Sequence, residues 1–210
     1  MKVTIKLCKL FLFAILLNTI FIGGKGTTAD AINKKEAALK TYGKFMEKDN
    51  AKLKIDGIVQ KFDFSKERFS IKDLNHDGIP ELIINTMRGS LNAVVLTYYN
   101  GKIKIVLGCY HAYPKYYKKG NVFTVDALTN GISILSTYKI KKGKAVKLAE
   151  VTDDSARYDA KGKKYYIDDE KVGKSKYEKY IKKLTKSTAS SIKDLEYYDI
   201  TSENINKVTK

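Results

Sequence analysis

The chain has 210 residues, 43% of them hydrophobic, enough apolar side chain for one ordinary domain with its own core. Lys and Arg number 40 against 23 Asp and Glu, a net charge of +17 that favours polyanionic partners. Two cysteines exclude a scaffold stapled by several disulfides.

Lys2, Lys6 and Lys9 form a positive start, and Leu10 to Ile22 is apolar except for Asn18 and Thr19. Ala29-Asp30-Ala31 then fits an A-x-A cleavage site. The apolar stretch falls short of the roughly 20 residues a membrane helix needs. These features predict a secretory signal peptide over 1–31 and a single extracellular domain over 32–210, with an uncleaved anchor as the alternative. Cys8 lies before the apolar stretch, which suits lipoprotein processing poorly. Cleavage after Ala31 leaves Cys109 alone, so the domain must fold without a disulfide. That habit suits an exported protein of a Gram-positive bacterium, and it reads Cys109 as a buried apolar residue.

Asn33 followed by Glu36 is an N-cap signature. Leu39, Tyr42, Phe45 and Met46 recur at helical spacing, predicting a helix to about Asp49. Residues 50–66 are ambiguous. The period then changes to two at Phe69 and Ile71, and Leu82 to Ile84 is a short apolar run. Val94–Tyr99 and Lys102–Leu107 flank Asn100-Gly101, a strong hairpin signal because both central residues of a type I′ turn need positive φ. Further strands are expected at Val122–Leu128, Ile132–Ile140, Ala145–Val151, Ala156–Asp159 and Lys163–Asp168. Lys141-Lys142-Gly143 and Ala160-Lys161-Gly162 read as hairpin loops. Ser175 and Glu178 predict a capping box for a helix to about Lys186, and Thr201–Val208 a last short one. The expected fold class is α+β: an antiparallel β-meander sheet with an N-terminal and a C-terminal helix packed on it.

Asp73-Leu74-Asn75-His76-Asp77-Gly78-Ile79-Pro80-Glu81 places side-chain oxygens at positions 1, 3, 5 and 9, with glycine at 6. Calcium is a hard cation that takes six to eight oxygens. Asp73, Asn75, Asp77 and Glu81 would supply side-chain ligands, the Ile79 carbonyl a backbone ligand, and three carboxylates oppose the double charge. His76 is expected to point outward. Position 12, a bidentate Glu in a helical EF-hand, is Ile84, and both flanks read as strands. The loop therefore resembles the strand–loop–strand calcium motif of FG-GAP and VCBS-type repeats. The longer string from Phe69 to Ile84 is similar to a D-x-N-x-D-G-x-P-E-L motif of exported Firmicute proteins, in which Tyr/Lys-rich hairpins and a helix with Tyr-Glu-Lys follow; Tyr177-Glu178-Lys179 fits that last element. The resemblance implies Ca²⁺ and export and brings no activity with it. One copy of the loop is too few for a propeller. With about 1 mM ion and a dissociation constant near 10⁻⁴ M, binding adds about 1.4 kcal/mol, the scale of a structural ion.

No G-x-S-x-G elbow, H-E-x-x-H helix, phosphate-cradling loop or CxxC pair is present. Cys109 and His111 stand two residues apart with no third group to orient them, and Asp153-Asp154 and Asp168-Asp169 sit near turns. Tyr110, Tyr113, Lys115, Tyr116, Tyr117, Lys118 and Lys119 interleave aromatics with cations, a candidate ligand surface. Residues 32–101 carry a net +3, 102–186 a net +12 and 187–210 a net −1. The sequence is thus read as a secreted, basic, non-enzymatic calcium-binding module. Its expected partner is an anionic cell-wall polymer or another extracellular protein, in preference to nucleic acid. The alternative is a secreted hydrolase with a carboxylate-based site.

Overall fold

Leu82-Ile83-Ile84 and Val94-Val95-Leu96 are apolar at every position, so strands built from them have two faces to bury rather than one. The computed structural model, which describes residues 28–48, 50–88, 90–156 and 160–209, buries both. Strands β3 (Arg68–Lys72), β4 (Glu81–Arg88), β5 (Leu91–Tyr99) and β6 (Lys102–Tyr110) form an antiparallel meander. On one face Leu82, Ile84, Val94 and Leu96 join a core with Ala38, Tyr42 and Met46 of helix α1 (Thr28–Met46). On the other, Ile83, Ala93, Val95 and Cys109 join a second core with Tyr116, Phe123 and Ile192.

That second core is closed by a second sheet. Its strands are β7 (Lys115–Tyr117), β8 (Phe123–Thr129), β9 (Ile132–Lys141), β10 (Lys144–Asp153), β11 (Lys163–Ile167) and β12 (Glu170–Val172). The expected single meander is therefore corrected to two stacked ones. The break falls between β6 and β7, where His111 takes a positive φ of 55° and Pro114 has no N–H to offer a ladder. Helix α2 (Lys174–Thr185) crosses the outer face of the second sheet. Tyr177 packs on Tyr165 of β11, ring centroids 5.2 Å apart, and the carbonyls of Leu184 and Thr185 lie against Gly120.

The chain's end visits both sheets. Strand β13 (Ala189–Ser191) pairs with β7 at one edge of the second sheet, and β14 (Tyr198–Asp199) pairs with β3 at one edge of the first. Helix α3 (Ser202–Thr209) then packs on α1, with Ile205 buried. Thr201 starts α3 by accepting the Asn204 N–H at 3.2 Å, as a capping hydroxyl should.

The ambiguous residues 50–66 are a separate hairpin, β1 (Asn50–Ile55) and β2 (Ile58–Asp63), followed by a 3-10 turn at Phe64–Lys66. It leans on β6: a Cβ at Gly108 would lie 2.3 Å from Ile55 Cγ2, so only glycine permits the approach. Among the described residues, five two-residue turns have positive φ at both positions: Asp56-Gly57, Asn100-Gly101, Asn130-Gly131, Lys142-Gly143 and Asp168-Asp169. These are the twisted turns that suit tight antiparallel pairs.

Both helix starts differ from expectation. Helix α1 begins at Thr28, ahead of Asn33 and across the expected cleavage site, while residues 1–27 lie outside the described residues. Helix α2 begins one residue before Ser175, with Gly173 at its cap and no side chain capping it, so the Ser175–Glu178 box is not formed. Of the strand expected at Ala156–Asp159, Ala156 sits in a turn and 157–159 lie outside the described residues. No helix among the described residues is long and apolar enough to cross a membrane.

Candidate metal centre

Asp73, Asn75 and Asp77 are spaced two apart in the connection between β3 and β4, and each fastens the turn with one oxygen. The Gly78 N–H donates to Asp73 Oδ2 at 3.0 Å, the Asp77 N–H to Asn75 Oδ1 at 3.1 Å, and the Ile79 N–H to Asp77 Oδ1 at 2.8 Å. Gly78 takes φ 86° and His76 φ 56°, which curls the loop tightly. The second oxygens of the two aspartates are the ones left over. Asp73 Oδ1 is buried and has no partner among the described residues, and Asp77 Oδ2 accepts only the Asn75 side-chain amide, at 3.0 Å. A buried unpaired carboxylate oxygen is costly without a cation or a donor.

Glu81 is the first residue of β4 and is fully buried. Its Oε2 accepts the Leu74 N–H at 2.8 Å and its Oε1 the Thr97 hydroxyl at 3.1 Å, which ties the loop's start and β5 to one carboxyl. Burial pushes that carboxyl up to about 8; the Leu74 N–H opposes the rise, and the nearby charges of Asp77 and Asp73 add to it. Asp77 is raised as well, first by partial withdrawal from water and, more weakly, by Asp73, against the two hydrogen bonds that lower it. Two carboxyls held from ionising, with a third carboxylate beside them, are the arrangement a divalent cation relieves. Among the described residues, no three His, Cys, Asp or Glu side chains converge as a ready-made metal cluster. The donor set depends also on the amide of Asn75 and the main chain at Ile79. Calcium held by Asp73, Asn75, Asp77, Ile79 and Glu81 fits the chemistry of this loop, with the ion supplying charge neutralisation.

The loop is braced from three sides. The hydroxyl of Tyr42, fully buried on α1, donates to the Pro80 carbonyl at 2.9 Å. Burial and then the Glu81 charge push that phenol well above its ordinary value, so it stays a donor. Thr97 braces Glu81 from β5, and His76, exposed as expected, sets Nε2 3.0 Å from the Tyr117 carbonyl oxygen of β7. None of these three partners was legible from the loop itself, because all are distant in the chain. A groove of about 770 Å³ runs along the loop, lined by Leu39, Ile71, Asp73, Gly78 and Pro80 among others.

The tyrosine–lysine strip divides on inspection. Tyr116 is buried in the second core with the Lys72 Nζ 5.7 Å from its ring centroid, and Tyr110, Tyr113 and Tyr117 are half-buried. Lys115, Lys118 and Lys119 are exposed, so the strip offers solvent mainly its cations. It adjoins the Asp73–Glu81 loop through the Lys72–Tyr116 and His76–Tyr117 contacts. Cys109 is buried and its thiol is pushed up to about 12, chiefly by burial, while His111 is exposed beyond the end of β6. Asp168-Asp169 is the β11–β12 turn; Asp153 caps Ser155, and Asp154 accepts the Lys161 N–H at 2.9 Å.

No family model and no curated protein matches this chain. Among solved structures, a Xanthomonas type IV secretion system related protein is similar to it at 19% identity with a TM-score of 0.35. The match covers 50% of this chain and 56% of that one, and a likeness of that size carries no argument about role.

Proposed function

We propose that this chain is an exported, non-enzymatic module in which one Ca²⁺ stiffens the β3–β4 connection, and whose basic surface contacts an acidic envelope polymer. The observation that carries the calcium half is the fully buried Glu81 carboxyl beside Asp73 and Asp77, with Asp73 Oδ1 lacking a partner. A cation would return the free energy lost by burying those oxygens. Because Tyr42, Thr97 and Tyr117 hold the loop from α1, β5 and β7, an ion there would stiffen the joint between layers. The charge supports the second half: between Glu81 and Asp126, and again between Asp126 and Glu150, the chain contains no carboxylate at all. Lysines set in so long a stretch without acids favour anionic partners, and such contacts are sensitive to salt.

Isothermal calorimetry with calcium chloride tests the ion. One site per chain with a dissociation constant between about 10⁻⁴ and 10⁻³ M is expected for an extracellular module. No heat with folded protein at millimolar calcium would remove the reading.

A further inference from the structure

The basic charge is not spread evenly over the outer face of the second sheet. Helix α2 crosses that face, with Tyr177 on Tyr165 of β11. In β9, Tyr138 and Ile140 point into the second core, so Lys139 and Lys141 point outward. Lys144 stands directly opposite Lys141 and Val146 opposite Lys139, which puts three lysines and one valine on the outward side of the β9–β10 end. Lys141 and Lys144 are exposed, and no carboxylate among the described residues is paired with any of the three. Lys147, by contrast, is tied to Asp169 at 3.0 Å and Glu150 at 3.3 Å. The outward acid of β8, Asp126, lies in register with Leu135, two outward positions farther from the β9–β10 turn than Lys139.

Like charges directly opposite on neighbouring strands destabilise a sheet, and here the pair closes a turn that itself begins with Lys142. The turn also lies against a fifth lysine and a tyrosine of the first sheet: a Cβ at Gly143 would come within 2.9 Å of Tyr99 Cβ and 3.1 Å of Lys104 Cγ. Resting on the polyanion half of the proposed function, we infer that this β9–β10 end, at the foot of α2, is the docking surface for a linear phosphate-bearing polymer. Lys139 and Lys141 are spaced by two residues of strand, about 6.6 Å, with Lys144 about 5 Å across, which suits successive phosphates of an extended chain. All the cations are lysines, compact point charges of the kind that hold phosphate. No aromatic ring stands among the outward positions of this end to stack on a base, which disfavours nucleic acid.

The test uses the full chain and long-chain inorganic polyphosphate, with affinity measured across a salt series. Replacing Lys139, Lys141 and Lys144 by Gln should weaken binding at least tenfold and lower the slope of log affinity against log salt by about 2. Replacing Lys52, Lys54 and Lys61 of β1–β2 by Gln removes the same charge from another face and should leave binding within about twofold of the parent, by the argument that phosphate contacts are local. Equal losses in both variants would overturn the site while leaving a diffuse polyanion contact standing. No binding by the parent would overturn both. Tighter binding to phosphatidylglycerol vesicles than to polyphosphate, lost in the same triple variant, would overturn the polymer as partner. Unchanged melting temperatures in the two variants keep the comparison free of misfolding.

Discussion

His76 Nε2 lies 3.0 Å from the carbonyl oxygen of Tyr117, and through it the loop of one sheet is hung on an edge-proximal strand of the other. The bond is exposed, so its worth to global stability is small, while its effect on the loop's freedom is direct. His76→Ala should lower the melting temperature little and weaken calcium binding several-fold, because the loop must then be ordered at the ion's expense. Calorimetry on parent and variant checks this, and equal affinities would show that the bond does not hold the loop.

Chelator should lower the melting temperature of the parent, and calcium should restore it. Stabilisation of about 1.4 kcal/mol follows from a tenfold excess of ion over its dissociation constant. Asp73→Ala combined with Asp77→Ala should abolish the response. A double variant that responds like the parent would place the ion elsewhere.

Glu81 makes the metal-free protein sensitive to pH in an unusual direction. Burial pushes its folded carboxyl up to about 8 from the ordinary 4.5, so the folded state keeps a proton that the unfolded chain has released. Stability is full below about pH 4.5 and declines as pH rises to about 8, each unit being worth about 1.4 kcal/mol at most. Calcium must displace that proton, so its stabilising effect should grow from pH 5 to pH 8. Glu81→Gln should flatten the pH dependence in chelator and remove the calcium response. Melting curves in chelator and in calcium at the two pH values read both effects.

Cys109 should resist thiol reagents at pH 8 in the folded state and react at once in denaturant, since its thiol is buried and raised to about 12. The same shift costs stability above pH 9, where the unfolded thiol ionises and the folded one does not. Rapid labelling under native conditions would contradict the placement of Cys109 in the second core.

Tyr42→Phe leaves the Pro80 carbonyl without its donor in a buried place, which should cost about 1–3 kcal/mol. Chemical denaturation with an unchanged m-value would assign the loss to that contact.

The parts of this fold that were legible are those written in neighbouring residues. Asn100-Gly101 and Lys142-Gly143 form the turns their composition demands, and the Asp73–Glu81 spacing gives a curled loop with inward oxygens. Asp56-Gly57 carried the same turn signal between Lys52–Ile55 and Ile58–Lys61, and reading it would have resolved β1–β2. The two-layer arrangement was also available in the unbroken apolar runs at Leu82 and Val94, since a sheet with one covered face alternates. Strands β12, β13 and β14 carry no period, because two or three polar residues are strands only by virtue of a partner. For β14 that partner is at Phe69 and Arg68, where Arg68 also pairs with Asp199 at 3.0 Å across 131 residues. Tyr116 looked like surface because lysines flank it, yet a strand sends its neighbours to the opposite side.

The late return of the chain to both sheets has a consequence for how the molecule is made. Until residues 189–199 are available, β7 and β3 each present an open ladder of unpaired amides. A growing or C-terminally clipped chain therefore exposes two templates for wrong pairing at once, however complete its hairpins are. Partly folded chains would be competent to aggregate until residues 189–199 join the two sheets, and a nick near Thr188 would leave a product that is largely folded and yet adhesive.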